Sequence, residues 1–565
     1  MSRYVSDAVV DVLADLGCRY LPLNPGSSFR GLHDSVVNHA GNRSPEIILC
    51  THEEIAVAAA HAYAKASGEV GFAAVHNLVG LMHASMAVYD AWCDRTPLVV
   101  LGGGGPADPR SRRPIDWFHS AATQVELVRP YVKWDAEPVS AQATLDAIRR
   151  AHWVAASAPT GPTYVTIDAA VQEDVAEGLE VAAGATAPPV RMAPHPDDLD
   201  AAVAALCGAE FPVIVAGGIG LDPAASAPLV DLMEALGAAG RDERNLTAVP
   251  TDHSLCFSGD DSVLADADVL LVVDVHDVRW LLDRAGATPA VIDLSARSLA
   301  VGSWSNADHV AAPRTVHLVS DPLLGLRELT TRVQAAAEMD DGFGGRRAGR
   351  LADLSDRRRA LDERRKDAVA RRWDDRPISV PRMVAEVYAA VEGLPWLLTL
   401  RNTRSWPEGV WRFDRSGRFL GHSGGGGMGY GPGALIGGGL AARDRGEFAV
   451  GIIGDGDLLF APGAIWTAAH HRIPMLIVVN NNRSYLNDEH HQAEVARMRG
   501  RPVDRSHIGT VVTDPDVDFA SLGRSLGAWA EGPIEDPSDL GPSLARAVEV
   551  VKEGGVAVID VRTGK

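Results

Sequence analysis

The stretch Gly454-Asp-Gly-Asp-Leu-Leu-Phe-Ala-Pro-Gly-Ala-Ile-Trp-Thr-Ala-Ala-His-His-Arg-Ile-Pro-Met-Leu-Ile-Val-Val-Asn-Asn-Asn-Arg-Ser-Tyr485 decides how the rest of the chain is read. The apolar run Phe448 to Ile453 precedes it, and a second run spans Pro474 to Val479. A helix-length segment, Pro462 to His471, separates the two runs. Strand, acidic turn, helix, strand and asparagine cluster make a βαβ unit with polar side chains at the carboxyl ends of both strands. Ligands of parallel sheets sit at those ends.

Asp455 offers a hard carboxylate and Asn482 a hard amide oxygen, the donors magnesium takes together with phosphate and water. Gly454 and Gly456 allow a tight turn against a ligand, and the following helix N-terminus favours an anion. These residues suit a magnesium-bridged diphosphate. An ordinary α/β turn with Asp as a helix N-cap is the competing reading of Gly-Asp-Gly alone. The asparagines after the next strand favour the metal site.

At this point the chain resembles thiamine-diphosphate-dependent enzymes, whose signature is Gly-Asp-Gly, a short helix, a strand and Asn-Asn. Ile465-Trp-Thr-Ala-Ala, Ile473-Pro and Asn481-Asn-Arg-Ser-Tyr485 are most similar to the benzoylformate decarboxylase branch. The resemblance implies Asp455 and Asn482 as side-chain ligands of Mg2+ and Ser484 as a main-chain carbonyl ligand. It places Gly454, Gly456, Asp457, Asn481 and Tyr485 against the cofactor. Asn480 is an extra asparagine that leaves a shift of one residue open, and Tyr485 favours the register given. Asp457 stands where the family commonly has Ser, and a second carboxylate beside a diphosphate must face away or hold metal-bound water.

The same resemblance picks out residues far from this stretch. A carboxyl group beside the cofactor's pyrimidine drives proton relay. Glu53, followed by Tyr63-Ala and Ser67-Gly, matches the family's glutamate; Glu54 competes, and Tyr63 selects Glu53. On its own Glu53 reads more readily as a first-turn acid that complements a helix dipole, and the resemblance reverses that. Asn24-Pro-Gly-Ser27 matches a motif whose serine contacts substrate, and His76 matches an active-site histidine suited to proton transfer. Met428, in Gly424-Gly-Gly-Gly-Met-Gly-Tyr-Gly, falls at the bulky residue wedged between the cofactor rings, and Gly426 would accept from the aminopyrimidine. Asp488 falls where pyruvate decarboxylases carry a catalytic acid, so Asp488 or Asn487 is expected to face the reacting carbon. The branch's second histidine has no match: its place falls near Arg279-Trp280-Leu281, with His276 displaced. Gly102 to Gly105 replace a usual Gly-Gln.

Composition agrees with a large globular chain. Of 565 residues 46% are hydrophobic and 22% charged, which fits about three domains with substantial cores. A net charge of −21 argues against nucleic acid as a partner. No run approaches a bilayer-spanning length, and the first residues lack a signal peptide's apolar core, so a cytoplasmic location without membrane association is expected. Cys18, Cys50, Cys93, Cys207 and Cys256 are widely spaced and read as buried thiols rather than disulfides or a zinc site. His490 and His491 beside Glu489 cannot all face one ion from consecutive helix positions.

Strands alternate with helical segments throughout, which predicts an α/β protein of three doubly wound parallel-sheet domains. The expected divisions are an N-terminal pyrimidine-binding domain over 1–175, a central domain over 190–335, a charged linker or solvated helix over 336–377, and a C-terminal diphosphate-binding domain over 378–565. A linker rich in Ala, Pro and Gly spans Val171 to Pro196. Gly217-Gly-Ile-Gly, after a central strand, is a weak dinucleotide signal; related enzymes leave this domain structural or hold FAD there.

The expectation is therefore a thiamine diphosphate and Mg2+ enzyme that makes or breaks a carbon–carbon bond next to a carbonyl of a small-molecule substrate. The branch implies a 2-oxo acid decarboxylase or carboligase, with an acetolactate-synthase-like ligase or a lyase on a 2-hydroxyacyl substrate as alternatives. A nicotinamide dehydrogenase and a non-catalytic thiamine-diphosphate-binding protein are the further alternatives. In the family the glutamate and the diphosphate site come from different subunits, so a homodimer is the minimum active unit and a homotetramer is common.

Overall fold

The structure is a computed structural model that describes residues 3–179, 187–243, 246–286, 288–299, 315–403 and 406–565. Part of the expected linker, 180–186, lies outside the described residues. Sixteen strands among those residues form three sheets, and every strand pair is parallel.

The first sheet contains β1 (Tyr20–Leu23), β2 (Glu46–Leu49), β3 (Gly71–Val75), β4 (Leu98–Gly104), β5 (Trp134–Ala136) and β6 (Pro162–Asp168), in the order β2-β1-β3-β4-β6-β5. Helices α1 (Glu53–Ser67) and α2 (Leu78–Cys93) precede and follow β3. The run Ile55–Ala60 is buried without interruption, because α1 is sandwiched between its own sheet and the third domain.

The second sheet contains β7 (Pro212–Ala216), β8 (Ala239–Asp242), β9 (Val269–Val273), β10 (Ala290–Leu294) and β11 (Val316–Leu318), ordered β11-β10-β9-β7-β8. Its chain order reverses between β7 and β9, where open α/β sheets hold ligands. Here that crevice carries ion pairs: Arg95 of the first domain reaches Asp274 at 2.5 Å and Arg297 reaches it at 3.1 Å. A Cβ on Gly217 would lie 2.4 Å from the Asp274 carbonyl, and one on Gly218 2.3 Å from its carboxylate. The glycines are thus explained by close packing on Asp274. His276 shares a contact with Arg297 in the same crevice.

The charged stretch forms α3 (Phe343–Ala370), and it is not solvated all round. Phe343, Arg350, Leu354, Arg358 and Leu361 make one buried stripe at helical spacing. Arg350 donates to the carbonyls of Ala209 and Leu236, and Arg358 to those of Thr251, His253 and Cys256. Guanidinium groups here satisfy main-chain acceptors of the central domain, which binary patterning reads as surface charge.

The third sheet contains β12 (Trp396–Arg401), β13 (Phe448–Gly454), β14 (Met475–Asn481), β15 (Trp529–Ile534) and β16 (Val556–Arg562), ordered β12-β13-β14-β16-β15. Helix α4 (Tyr430–Arg445) leads into β13, and two short helices, α5 (Asp455–Phe460) and α6 (Gly463–His470), join β13 to β14. Helix α7 (Leu486–Met498) follows β14. The expected turn at Gly-Asp-Gly is itself the first turn of α5, with Gly454 as N-cap. Helices α1 and α4 cross at glycine contacts, so the first and third domains share one core cluster.

Candidate active site

A cavity of about 680 Å³ opens at the carboxyl ends of β12, β13 and β14. Its wall includes Gly426, Met428, Gly454, Asp455, Gly456, Asp457, Asn482, Ser484, Tyr485 and Asp488. Asp455 is buried: Oδ1 accepts the Gly456 N–H at 2.8 Å, whereas Oδ2 has no partner at hydrogen-bonding geometry among the described residues. Burial pushes the Asp455 pKa up, and the N–H groups of Gly456, Arg483 and Ser484 oppose that rise. A buried carboxylate oxygen with no partner is costly unless a cation meets it. The residues fit a magnesium-bridged diphosphate: Asp455, Asn482 and Ser484 line one space of cofactor size together with Gly454 and Gly456 at the start of α5.

The strand period decides among the asparagines. Asn480 and Asn482 line the cavity. Asn481 points the other way and donates to Asp560 at 2.8 Å, so its side chain supports the sheet and does not meet the expected ligand. Asn482 Oδ1 accepts the Ser484 N–H at 2.8 Å, which fixes the turn that carries the Ser484 carbonyl. The Tyr485 ring covers Gly456, where a Cβ would lie 2.5 Å from it.

The Asp457 carboxylate is taken up by protein donors. Although it borders the cavity, Oδ1 accepts from Gly429 N–H at 2.7 Å and Oδ2 from Asn402 at 3.1 Å. Its carboxylate caps the start of α4 and ties the glycine loop to the Gly-Asp-Gly turn. Asp488 sits exposed on α7 at the rim. Glu489 bonds Ser484 Oγ and Lys565, so it is not a ligand partner for His490 or His491.

A second cluster lies at the carboxyl end of the first sheet. Glu53 opens α1, 4% exposed, with Oε2 3.2 Å from His83 Nδ1. Gly80 lets this carboxyl approach α2, since a Cβ there would stand 3.0 Å from Glu53 Oε1. His76 lies across Gly26, where a Cβ would be 2.5 Å from the ring. Its Nδ1 shares a hydrogen bond with Ser28 Oγ at 2.7 Å, and its Nε2 one with His119 Nδ1 at 3.0 Å. Ser27 is exposed beside this chain of groups, and its neighbour Ser28, which bonds His76, is buried. Burial lowers the His76 pKa, and neighbouring His119 adds to that. A neutral imidazole between a hydroxyl and a second imidazole can move a proton along the line.

Sequence reasoning missed Ser28, His83 and His119. Gly103 carried a signal for the first: a Cβ there would lie 1.9 Å from Ser28 Oγ, so the unusual glycine run accommodates that serine. Glu54, the rejected competitor, packs against Gly429. Burial, with Asp90 and Asp457 nearby, pushes its pKa up to about 7.

Two family models match the chain: "Thiamine pyrophosphate enzyme, N-terminal TPP binding domain" over residues 3–127 and "Thiamine pyrophosphate enzyme, C-terminal TPP binding domain" over residues 402–561. Benzoylformate decarboxylase of Pseudomonas aeruginosa is 27% identical over 457 residues, 78% of this chain and 79% of the relative. Acetolactate synthase large subunit IlvG of Mycobacterium tuberculosis is 28% identical over 547 residues, 92% and 88% of the two chains. The structure of the thiamine diphosphate-dependent 4-hydroxybenzoylformate decarboxylase of Rhodococcus jostii RHA1 shares the fold, with a TM-score of 0.77 at 21% identity over 99% of each chain. With both halves of the site in domains that these models describe, the chain belongs to the thiamine pyrophosphate enzyme family.

Proposed function

We propose that this chain is a thiamine-diphosphate- and magnesium-dependent 2-oxo acid decarboxylase or carboligase of benzoylformate decarboxylase type. The observation that carries the reading is the buried Asp455 carboxylate, whose Oδ2 makes no hydrogen bond of good geometry among the described residues, in the wall of the cavity that Asn482 and Ser484 also line. Asp455, Asn482 and the Ser484 carbonyl hold the metal, and the α5 N-terminus with Gly454 and Gly456 receives the diphosphate. Met428 would pack against the cofactor, and Gly426 would offer its carbonyl to the aminopyrimidine. When bound, the cofactor supplies a nucleophilic carbon and an electron sink. Glu53 exchanges a proton with the pyrimidine nitrogen. His76, held between Ser28 and His119, delivers or removes the proton at the substrate-derived carbon.

The working unit in this proposal is a homodimer. Glu53 does not appear among the residues lining the chain's own diphosphate cavity. Large apolar side chains stand exposed beside both halves, Met82, Trp117 and Phe118 near the first and Phe460 at the end of α5. A second copy that covers them brings its Glu53 to this chain's cavity.

Mixing two inactive variants, Glu53→Gln and Asp455→Asn, tests the assignment. Random reassociation makes half the dimers mixed, each with one intact site, so about a quarter of native turnover returns. Turnover that survives in Glu53→Gln alone refutes the catalytic role; no recovery on mixing refutes the shared site. A panel of aromatic and aliphatic 2-oxo acids, followed by carbon dioxide release, separates decarboxylation from ligation. Ligation as in the acetolactate synthase relative is the second reading, favoured by its 92% coverage of this chain.

A further inference from the structure

Glu53 is also the centre of a group with a different chemistry. His52 caps α1, its Nδ1 accepting the Glu54 N–H at 3.1 Å. His83 projects from α2 with Nδ1 3.2 Å from Glu53 Oε2. The His52 and His83 rings stack at 4.9 Å, 23° apart. One ligand atom from each of His52, Glu53 and His83 lies within 4.8 Å of the others. Glu53 forms a buried back wall, and the His83 side chain, 59% exposed, forms an open front.

Two imidazoles and one carboxylate are the donor set of open zinc sites, which keep a fourth position for water. Bonds of about 2.0–2.2 Å to a tetrahedral ion leave ligand atoms about 3.3–3.5 Å apart. The Glu53–His83 pair already stands at that separation. The remaining closure is that of His52, whose ligand atom already lies within 4.8 Å of the other two. Magnesium, which takes oxygen donors and octahedral geometry, has no use for this pair of nitrogens.

We propose that His52, Glu53 and His83 bind a Zn2+ ion in the cofactor-free protein, and that zinc and thiamine diphosphate are antagonists because both claim the Glu53 carboxyl. The second half rests on the reading of Glu53 given above; the first does not. Zinc occupation withdraws the carboxyl from proton exchange and holds the protein inactive until a chelator or the cofactor displaces the ion.

The experiment titrates Zn2+ alone into chelator-treated, cofactor-free protein by calorimetry, with Co2+ alone as an optical probe of tetrahedral coordination. The expected result is one ion per chain with micromolar affinity and the visible absorption of a four-coordinate cobalt site. His83→Ala and His52→Asn, the latter chosen to keep a helix-capping oxygen, each weaken binding at least tenfold; circular dichroism verifies their folding. Saturating thiamine diphosphate with Mg2+ weakens zinc binding at least tenfold in the parent protein. Absence of zinc binding, or equal binding by the double variant, overturns the site. Zinc affinity that ignores the bound cofactor overturns the antagonism. The metal titration needs neither cofactor nor turnover, so a failed reading of the reaction and a failed zinc site give different results.

Discussion

Gly437 lies in the middle of α4 where that helix crosses α1. A Cβ at this position would stand 2.0 Å from the Ala59 carbonyl oxygen, 2.7 Å from the Tyr63 nitrogen and 2.9 Å from the Ala59 carbonyl carbon. All three are main-chain atoms, so no side chain can swing aside. Overpacking costs about 1–3 kcal/mol, and rigid opposition puts Gly437→Ala at the upper end. Helix propensity returns about 1 kcal/mol. The net loss is about 2 kcal/mol, which lowers the melting temperature by about 4–8 °C for a unit of this size. Gly349→Ala is the matched control, because a Cβ on that exposed turn of α3 meets nothing within 4 Å. It gains about 1 kcal/mol and melts about 2–4 °C higher. Scanning calorimetry of the cofactor-free protein at one fixed scan rate reads both, since a three-domain chain need not unfold in two states. A Gly437→Ala protein that melts no lower than its parent refutes the close crossing of α1 and α4, and with it the placement of the Glu53 helix.

Two further outcomes follow from buried groups. His61 is fully buried near Lys65 and Asp94, and burial, then the Lys65 charge, pushes its pKa down to about 4. The folded state refuses a proton that the unfolded chain accepts below about pH 6.5, so this stability is complete above that pH and is lost down to about pH 4, at up to about 1.4 kcal/mol per unit. Glu54 and Asp90, raised to about 7 and about 6, push the other way, so the readout is the melting temperature of His61→Gln relative to the parent across that window. The difference shrinks with acidification; a difference constant with pH contradicts a neutral buried imidazole. Asp455→Asn removes a carboxylate that is costly without a cation, so the cofactor-free protein melts no lower than the parent. The same change abolishes the rise in melting temperature that thiamine diphosphate and Mg2+ confer on the parent. A retained rise removes Asp455 from the metal site.

Three parallel sheets were legible because strand-length apolar runs alternate with helical segments, a pattern that depends on local sequence alone. The side chains at the site were legible only where a motif held the register. Asp455, Asn482 and Met428 reach the cavity. Asn481 does not, because side chains alternate along β14 and its two neighbours already face the ligand side. The motif singles out Ser27, whereas the bond of the next residue, Ser28, to His76, 48 residues away, is set by the fold. His119 and His83 meet their partners across the fold, which spacing alone cannot report. Helix α3 misled for a related reason: its arginines bind carbonyls of the central domain, contacts invisible to a count of charges.

The glycine loop before α4 joins these points into one physical argument. From sequence it reads as backbone brought close to a ligand. In the structure Cβ atoms on Gly424, Gly425 and Gly427 would strike Asp94, the Tyr89–Asp90 pair and Met86, and one on Gly429 would strike Glu54. Each of those partners belongs to α1, α2 or the residue that follows α2. Only Gly426, with φ of +71°, has open space before it, and the Met428 side chain borders the cavity. Most of the glycines therefore serve contact between domains, and the loop is backed by the same two helices that carry Glu53 and His83. In the proposed function, cofactor shape through Met428 and proton exchange through Glu53 therefore share one support. A shift of α2 moves both together, so selection on either constrains the other.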